Sequence, residues 1–95
     1  MPAKILIKRT FQKDTTQEIL AILNRFRMAA KSQSGYIKGE TWIRPDNPQQ
    51  TLVVVTWDSL PNWLKWKNSS KRQSFEAMLK IYQLGPAEYE EFEYP

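Results

Sequence analysis

Between Thr51 and Trp57 the chain reads Thr-Leu-Val-Val-Val-Thr-Trp, an extended run that is apolar on both of its sides. Successive side chains of a strand leave on opposite faces, so Leu52 and Val54 point one way and Val53 and Val55 the other. An antiparallel strand with one face in water alternates apolar with polar residues. This one does not, so the spacing predicts a sheet covered on both faces. That requirement constrains the fold more than any other feature, because the remaining segments supply material for one face only.

Residues 3–11 are β-branched and apolar enough for a first strand. Thr15 and Glu18 then stand at the spacing of a capping box, and Ile19, Ile22, Leu23, Phe26 and Ala30 recur at three- and four-residue steps. A helix is predicted from there to about Lys31, ended by Ser32-Gln33-Ser34-Gly35. Residues 36–44 alternate as a strand, with Tyr36, Lys38, Glu40, Trp42 and Arg44 on one side. The turn Pro45 to Gln50 leads back into strand 51–57 as a hairpin. Ser59 is a plausible N-cap and Pro61 sits in a first turn, which predicts a helix over about 60–67. Ser70 and Gln73 restart a helix whose stripe is Phe75, Met78, Leu79 and Tyr82, with Gly85-Pro86 as its end. The glutamate-rich residues 87–94 suit an edge strand.

The order is therefore β-α-β-β-α-β with the second helix split, an α+β, ferredoxin-like arrangement of four antiparallel strands with helices on one face. A second copy of the chain, packed sheet to sheet, is the economical cover for the other face, which predicts a homodimer. Tyr36, Trp42 and Arg44, with Lys38 and Glu40, are expected on that interface.

Ninety-five residues with 41% hydrophobic content predict one small domain across 1–95. At this size only about 60–68% of the unfolded surface is buried, so added burial by oligomerisation helps. The absence of cysteine removes disulfides and thiolate nucleophiles and fits a reducing cytoplasm. Neither a long apolar run nor a signal-peptide pattern follows Met1-Pro2-Ala3-Lys4, so cytoplasmic location and no membrane partner are expected. The absence of histidine removes the commonest general base and the commonest metal and haem ligand. No metal or cofactor is expected.

The net charge of +4 is uneven, with nine Lys/Arg against three Asp/Glu up to Arg44 and five against seven beyond it. One reading is a basic patch for nucleic acid. The favoured one pairs the chain ends in the sheet, Lys4, Lys8 and Arg9 facing Glu88, Glu90, Glu91 and Glu93. An RNA-recognition domain shares this element order, but strand 51–57 offers no aromatic before Trp57 on which bases could stack, so no nucleic-acid partner is expected.

Three of the four tryptophans fall between Trp57 and Trp66. Trp57 and Trp63 read as anchors of the strand-to-helix joint. Asn62 and Trp66, one helical turn apart, are the candidate catalytic pair. Phe26, Trp63, Arg72, Phe75 and Met78 are candidate substrate-binding residues, Arg72 because its planar fork suits an anionic group.

The chain resembles the antibiotic biosynthesis monooxygenase-like domains of the dimeric α/β-barrel superfamily. The resemblance rests on Ser34-Gly35-Tyr36-Ile37-Lys38-Gly39-Glu40, on Trp57-Asp58-Ser59 with Trp66 nine residues after Trp57, and on Glu88-Tyr89-Glu90. It implies a sheet-to-sheet dimer forming an α/β barrel, and a family of cofactor-independent quinol or anthrone oxygenases and haem-degrading enzymes. Trp66 looks like the pocket tryptophan of the haem-degrading members, whose axial histidine falls at Glu76 and whose pocket asparagine falls near Ile7. Asn62 with Trp66 is similar to a polar-aromatic pair of anthrone-oxidising members. Three functions follow in order of preference: a cofactor-independent monooxygenase of an electron-rich, quinol- or anthrone-like aromatic; a non-catalytic dimeric protein binding a hydrophobic or aromatic small molecule; and, last, a haem-binding or haem-degrading protein.

Overall fold

The computed structural model describes residues 1–95. Its elements are β1 (Ala3–Thr10), α1 (Thr16–Lys31), β2 (Tyr36–Ile43), β3 (Gln50–Trp57), α2 (Leu60–Lys67), α3 (Ser70–Lys80) and β4 (Glu88–Glu93). The strands form one antiparallel sheet in the order β2-β3-β1-β4, so the two ends of the chain pair in its middle and at its edge. The sheet is open and carries all three helices on one face.

The strand period sorts the residues. Ala3, Ile5, Ile7 and Arg9 of β1 and Thr51, Val53, Val55 and Trp57 of β3 turn towards the helices, where Ile19, Leu23, Phe26, Ala30, Trp63, Trp66 and Leu79 close over them. Lys4, Leu6, Lys8, Leu52 and Val54 fall on the opposite face. There Leu6, Leu52 and Val54 are half-buried, and Trp42 and Phe92 stand 57% and 54% exposed. The double-sided apolar character of β3 is thus real, and its second apolar side lies on the helix-free face.

Helix starts follow local chemistry. Ser59 caps α2 by accepting from the Asn62 amide, and Ser69 caps α3 by accepting from the Arg72 amide. The α3 cap is one residue earlier than the Ser70–Gln73 spacing predicts. No capping box forms at α1, because the Thr15 hydroxyl donates back to the Gln12 carbonyl at 2.7 Å instead of receiving a helix N–H.

A bulge in β2 corrects the expected face of Tyr36. Pairing with β3 shifts register between Tyr36 and Lys38, so Tyr36 lies opposite Trp57 on the helix face while Lys38, Glu40 and Trp42 stay on the open one. The charge pairing between the chain ends holds for Lys8, whose Nζ lies 3.8 Å from Glu90. It fails for Arg9, which sits on the core side of β1 and meets Glu76 instead.

Candidate active site

Trp57 ends β3 fully buried, and the chain turns at once into α2, so Trp63 and Trp66 are delivered to the same side of the sheet. Gly35 makes this joint possible. Its φ of +91° favours glycine, and a Cβ there would lie 2.4 Å from Asp58 Oδ1 and 2.6 Å from Asn62 Nδ2. The Asp58 amide donates to the Gly35 carbonyl at 2.7 Å, and Asn62 Nδ2 donates to Asp58 Oδ1 at 2.8 Å. The Ser-Gly-Tyr and Trp-Asp-Ser motifs are therefore two halves of one clasp.

Between the sheet and α1 to α3 lies a narrow cavity of about 50 Å³. Its walls are Phe26, Trp57, Trp63 and Trp66, with Ile7, Val53 and Val55 from the sheet. The partly exposed Arg27, Tyr36, Gly39 and Thr41 mark its mouth between α1 and β2. The Phe26 ring meets Trp66 edge-on at 6.2 Å and stacks on Phe75 at 5.1 Å.

Of the residues expected at a site, Phe26, Trp63, Trp66 and Arg72 line this cavity. Phe75 supports Phe26 from behind, and Met78 lies outside the lining. Asn62 does not line the cavity either. Its amide is held by Asp58 in the clasp, so helical spacing alone did not place it beside Trp66 in the cavity wall.

Two arginines give the cavity its electrostatic character. Arg9 and Arg72 are 3% and 4% exposed and both line it. Arg9 donates to Glu76 Oε1, and Arg72 Nη2 lies 3.4 Å from that same oxygen and 2.9 Å from the Tyr89 hydroxyl. The Arg72 guanidinium also packs 5.2 to 5.4 Å from the ring centres of Trp63, Phe26 and Tyr89. Glu76, the residue at which the sequence resemblance puts the axial histidine of haem-degrading members, is already committed to this pair. The residues present do not fit a haem ligand set, and no group of three or more Asp, Glu, His or Cys is placed to hold a metal ion.

Two further groups frame the site. Glu91 accepts from the Trp63 indole N–H and from Lys67 Nζ at 3.2 Å. The indole hydrogen bond, with a smaller contribution from Lys67, outweighs burial and lowers the carboxyl pKa. Burial raises the pKa of the Tyr36 phenol against the opposing charge of Arg27, so it remains a neutral hydrogen-bond donor. Gly39 leaves room for that hydroxyl, since a Cβ there would lie 2.6 Å from it.

Sequence reasoning passed over Arg9, Tyr36 and Trp57 as cavity residues. Arg9 carries a usable signal, because it continues the odd-numbered series Ala3, Ile5, Ile7 that faces the core. Tyr36 carries none, since the bulge that turns it is a tertiary feature.

The fold, the clasp and the tryptophan-lined cavity can be set beside known proteins. The family model for antibiotic biosynthesis monooxygenase matches residues 2–78. The chain belongs to that family. Protein SchA of Streptomyces halstedii is 24% identical over 82 residues, which cover 86% of this chain and 22% of SchA; the chain thus spans about a fifth of that relative. Among solved structures, SnoaB of Streptomyces nogalater, a cofactor-independent oxygenase, superposes with a TM-score of 0.88 at 11% identity, over 99% of this chain and 93% of SnoaB. A conserved protein of Methanosarcina mazei gives 0.90 at 12% identity, over 100% of this chain and 94% of its own. At these identities the structural likeness establishes the fold of this family member. No helix in it is long and apolar enough to cross a membrane.

Proposed function

We propose that this family member is a cofactor-independent monooxygenase of an electron-rich, quinol- or anthrone-like aromatic, acting as a homodimer. The observation that carries the reading is the cavity walled by Phe26, Trp57, Trp63 and Trp66, whose rings suit a flat aromatic guest. The likeness to a fold relative named a cofactor-independent oxygenase supports it.

In such a reaction the substrate anion is the reductant. It passes one electron to O₂, the two radicals join in a C–O bond, and loss of water from the resulting hydroperoxide leaves a carbonyl. One oxygen atom enters the substrate, the other leaves as water, and an anthrone-type CH₂ supplies all four electrons. The protein's work is to hold the ring and exclude water. Trp66 and Phe26 provide the stacking surface, and the Tyr36 hydroxyl is a polar group at the mouth, with Arg27 and Thr41 beside it. Ligand pockets typically measure about 300–1,000 Å³, so a ring enters only when the Arg27 and Tyr36 side chains swing outward.

The test is oxygen uptake with a panel of quinols and anthrones and no added metal. Trp66→Ala, with its fold verified by circular dichroism, is expected to lower kcat/KM by about tenfold or more. Turnover equal to wild type would remove Trp66 from the site. Ligand-induced quenching of tryptophan fluorescence with no oxygen uptake by wild type would favour the second reading, binding without turnover, which the lack of a histidine base supports.

The homodimer rests on the open face of the sheet. Leu6, Leu52, Val54, Trp42 and Phe92 form its apolar part, and Lys4, Lys8 and Lys38 are mixed there with Glu40, Glu88 and Glu90. A patch carrying both signs is self-complementary under a two-fold axis. Light scattering is expected to give twice 11.2 kDa, and Trp42→Glu is expected to shift the population towards monomer. A wild-type monomer at micromolar concentration would refute the dimer.

A further inference from the structure

We propose that the inner wall of the cavity is an anion subsite, formed by Arg9, Arg72 and the indole N–H of Trp57, that takes the ionised oxygen of an aromatic carboxylate or phenolate. This deepens the proposed function by naming the charge of the ligand, and it holds equally for a ligand bound without turnover.

The first argument is charge. Two buried guanidinium groups share a single carboxylate oxygen, Glu76 Oε1. Of the other acidic groups, Glu91 is engaged by Trp63 and Lys67. Glu40, which lines the cavity from β2, is exposed, pairs with Val54 on the helix-free face and makes no ion pair with either arginine. Tyr89 offers Arg72 a neutral hydroxyl. One positive charge therefore stays unbalanced out of water, a condition a structural ion pair of one arginine and one glutamate would not create. The faces of Phe26, Trp63 and Tyr89 attract the Arg72 cation but give its Nε–H no acceptor.

The second argument is the set of unused donors. Arg9 Nε, Arg72 Nε and Trp57 Nε1 are all buried and have no protein partner. Buried donors are paired as a rule, and unpaired ones ask for an explanation. All three belong to residues that line the same cavity. An anionic oxygen there supplies both the missing charge and the missing acceptor. At about 50 Å³ the cavity accommodates a carboxylate-sized group or a few waters, with the aromatic part of the ligand directed towards Phe26 and Trp66.

Benzoate and benzamide have nearly the same shape and differ in charge, so their affinities for the whole chain, measured by calorimetry at fixed ionic strength, test the subsite. Benzoate is expected to bind about tenfold or more tightly than benzamide. Arg9→Met and Arg72→Met each leave Glu76 with one arginine, and each is expected to bring the ratio close to one. In a two-dimensional NMR spectrum the Trp57 indole N–H, assigned by its loss in Trp57→Phe, is expected to shift with benzoate and not with benzamide. That readout locates the anion even if an arginine variant does not fold. Equal affinities would overturn the subsite, as would a benzoate preference that survives both arginine substitutions or leaves the Trp57 resonance unmoved, since water alone would then serve these donors. Oxygen uptake is a separate measurement: selective benzoate binding without turnover of any quinol or anthrone refutes the oxygenase and leaves the subsite standing, and the reverse result refutes the subsite alone.

Discussion

Glu76→Ala is expected to destabilise the fold by about 3–5 kcal/mol, the cost of breaking a buried ion pair from one side. The carboxylate is the only anionic partner of both Arg9 and Arg72, and both arginines are almost completely buried. Its removal leaves two guanidinium groups facing aromatic rings and each other. For a domain of this size a loss of that order corresponds to a melting-temperature drop of more than about 10 °C. The triple variant Arg9→Met, Arg72→Met, Glu76→Leu removes the charges together and is expected to recover most of the loss, because an apolar replacement of a buried ionic cluster is often neutral or better. Thermal denaturation at one protein concentration checks both. If Glu76→Ala melts with wild type, the burial of Arg9 and Arg72 does not depend on this carboxylate.

Trp63→Ala is expected to cost a similar amount, about 3–5 kcal/mol, through the cavity left by a large buried ring. Trp63 is 1% exposed and its ring centre lies 6.2 Å from Trp57 and 6.3 Å from Tyr89, so neighbours on two strands lose packing at once. The indole N–H to Glu91 and the surface on which Arg72 rests disappear as well. Trp63→Phe separates these effects, since it keeps most of the packing and drops the hydrogen bond. Urea denaturation is expected to place its midpoint between wild type and Trp63→Ala. Coincident midpoints for Trp63→Phe and Trp63→Ala would mean that the hydrogen bond, and not the packing, carries the cost.

The elements of the fold are legible because they depend on neighbours within a few residues. The apolar steps from Ile19 to Ala30 define α1, Ser59 with Pro61 starts α2, and the alternation of β1 and β3 identifies their faces. The site is less legible. Asn62 and Trp66 share helical spacing, yet Asn62 turns to Asp58 because Gly35 brings the β2 start against it. Tyr36 belongs by alternation with Trp42 and is turned away by a bulge that only pairing with β3 reveals. Arg9 resembles a surface partner for the C-terminal glutamates, and its strand parity places it in the core.

Local sequence by itself therefore determined the order of strands and helices, the clustering of tryptophans at the β3–α2 joint and the two-sided apolar character of β3. Periodicity and capping act over one or two turns, so they can be read from the chain directly. Only the tertiary structure decided that Arg9 from β1, Arg72 from α3 and Trp57 from β3 meet around one cavity, with Glu76 of α3 joining the two arginines. Arg9 and Glu76 are 67 residues apart in the chain. No local rule couples residues at that distance; the packing of α3 over β1 does.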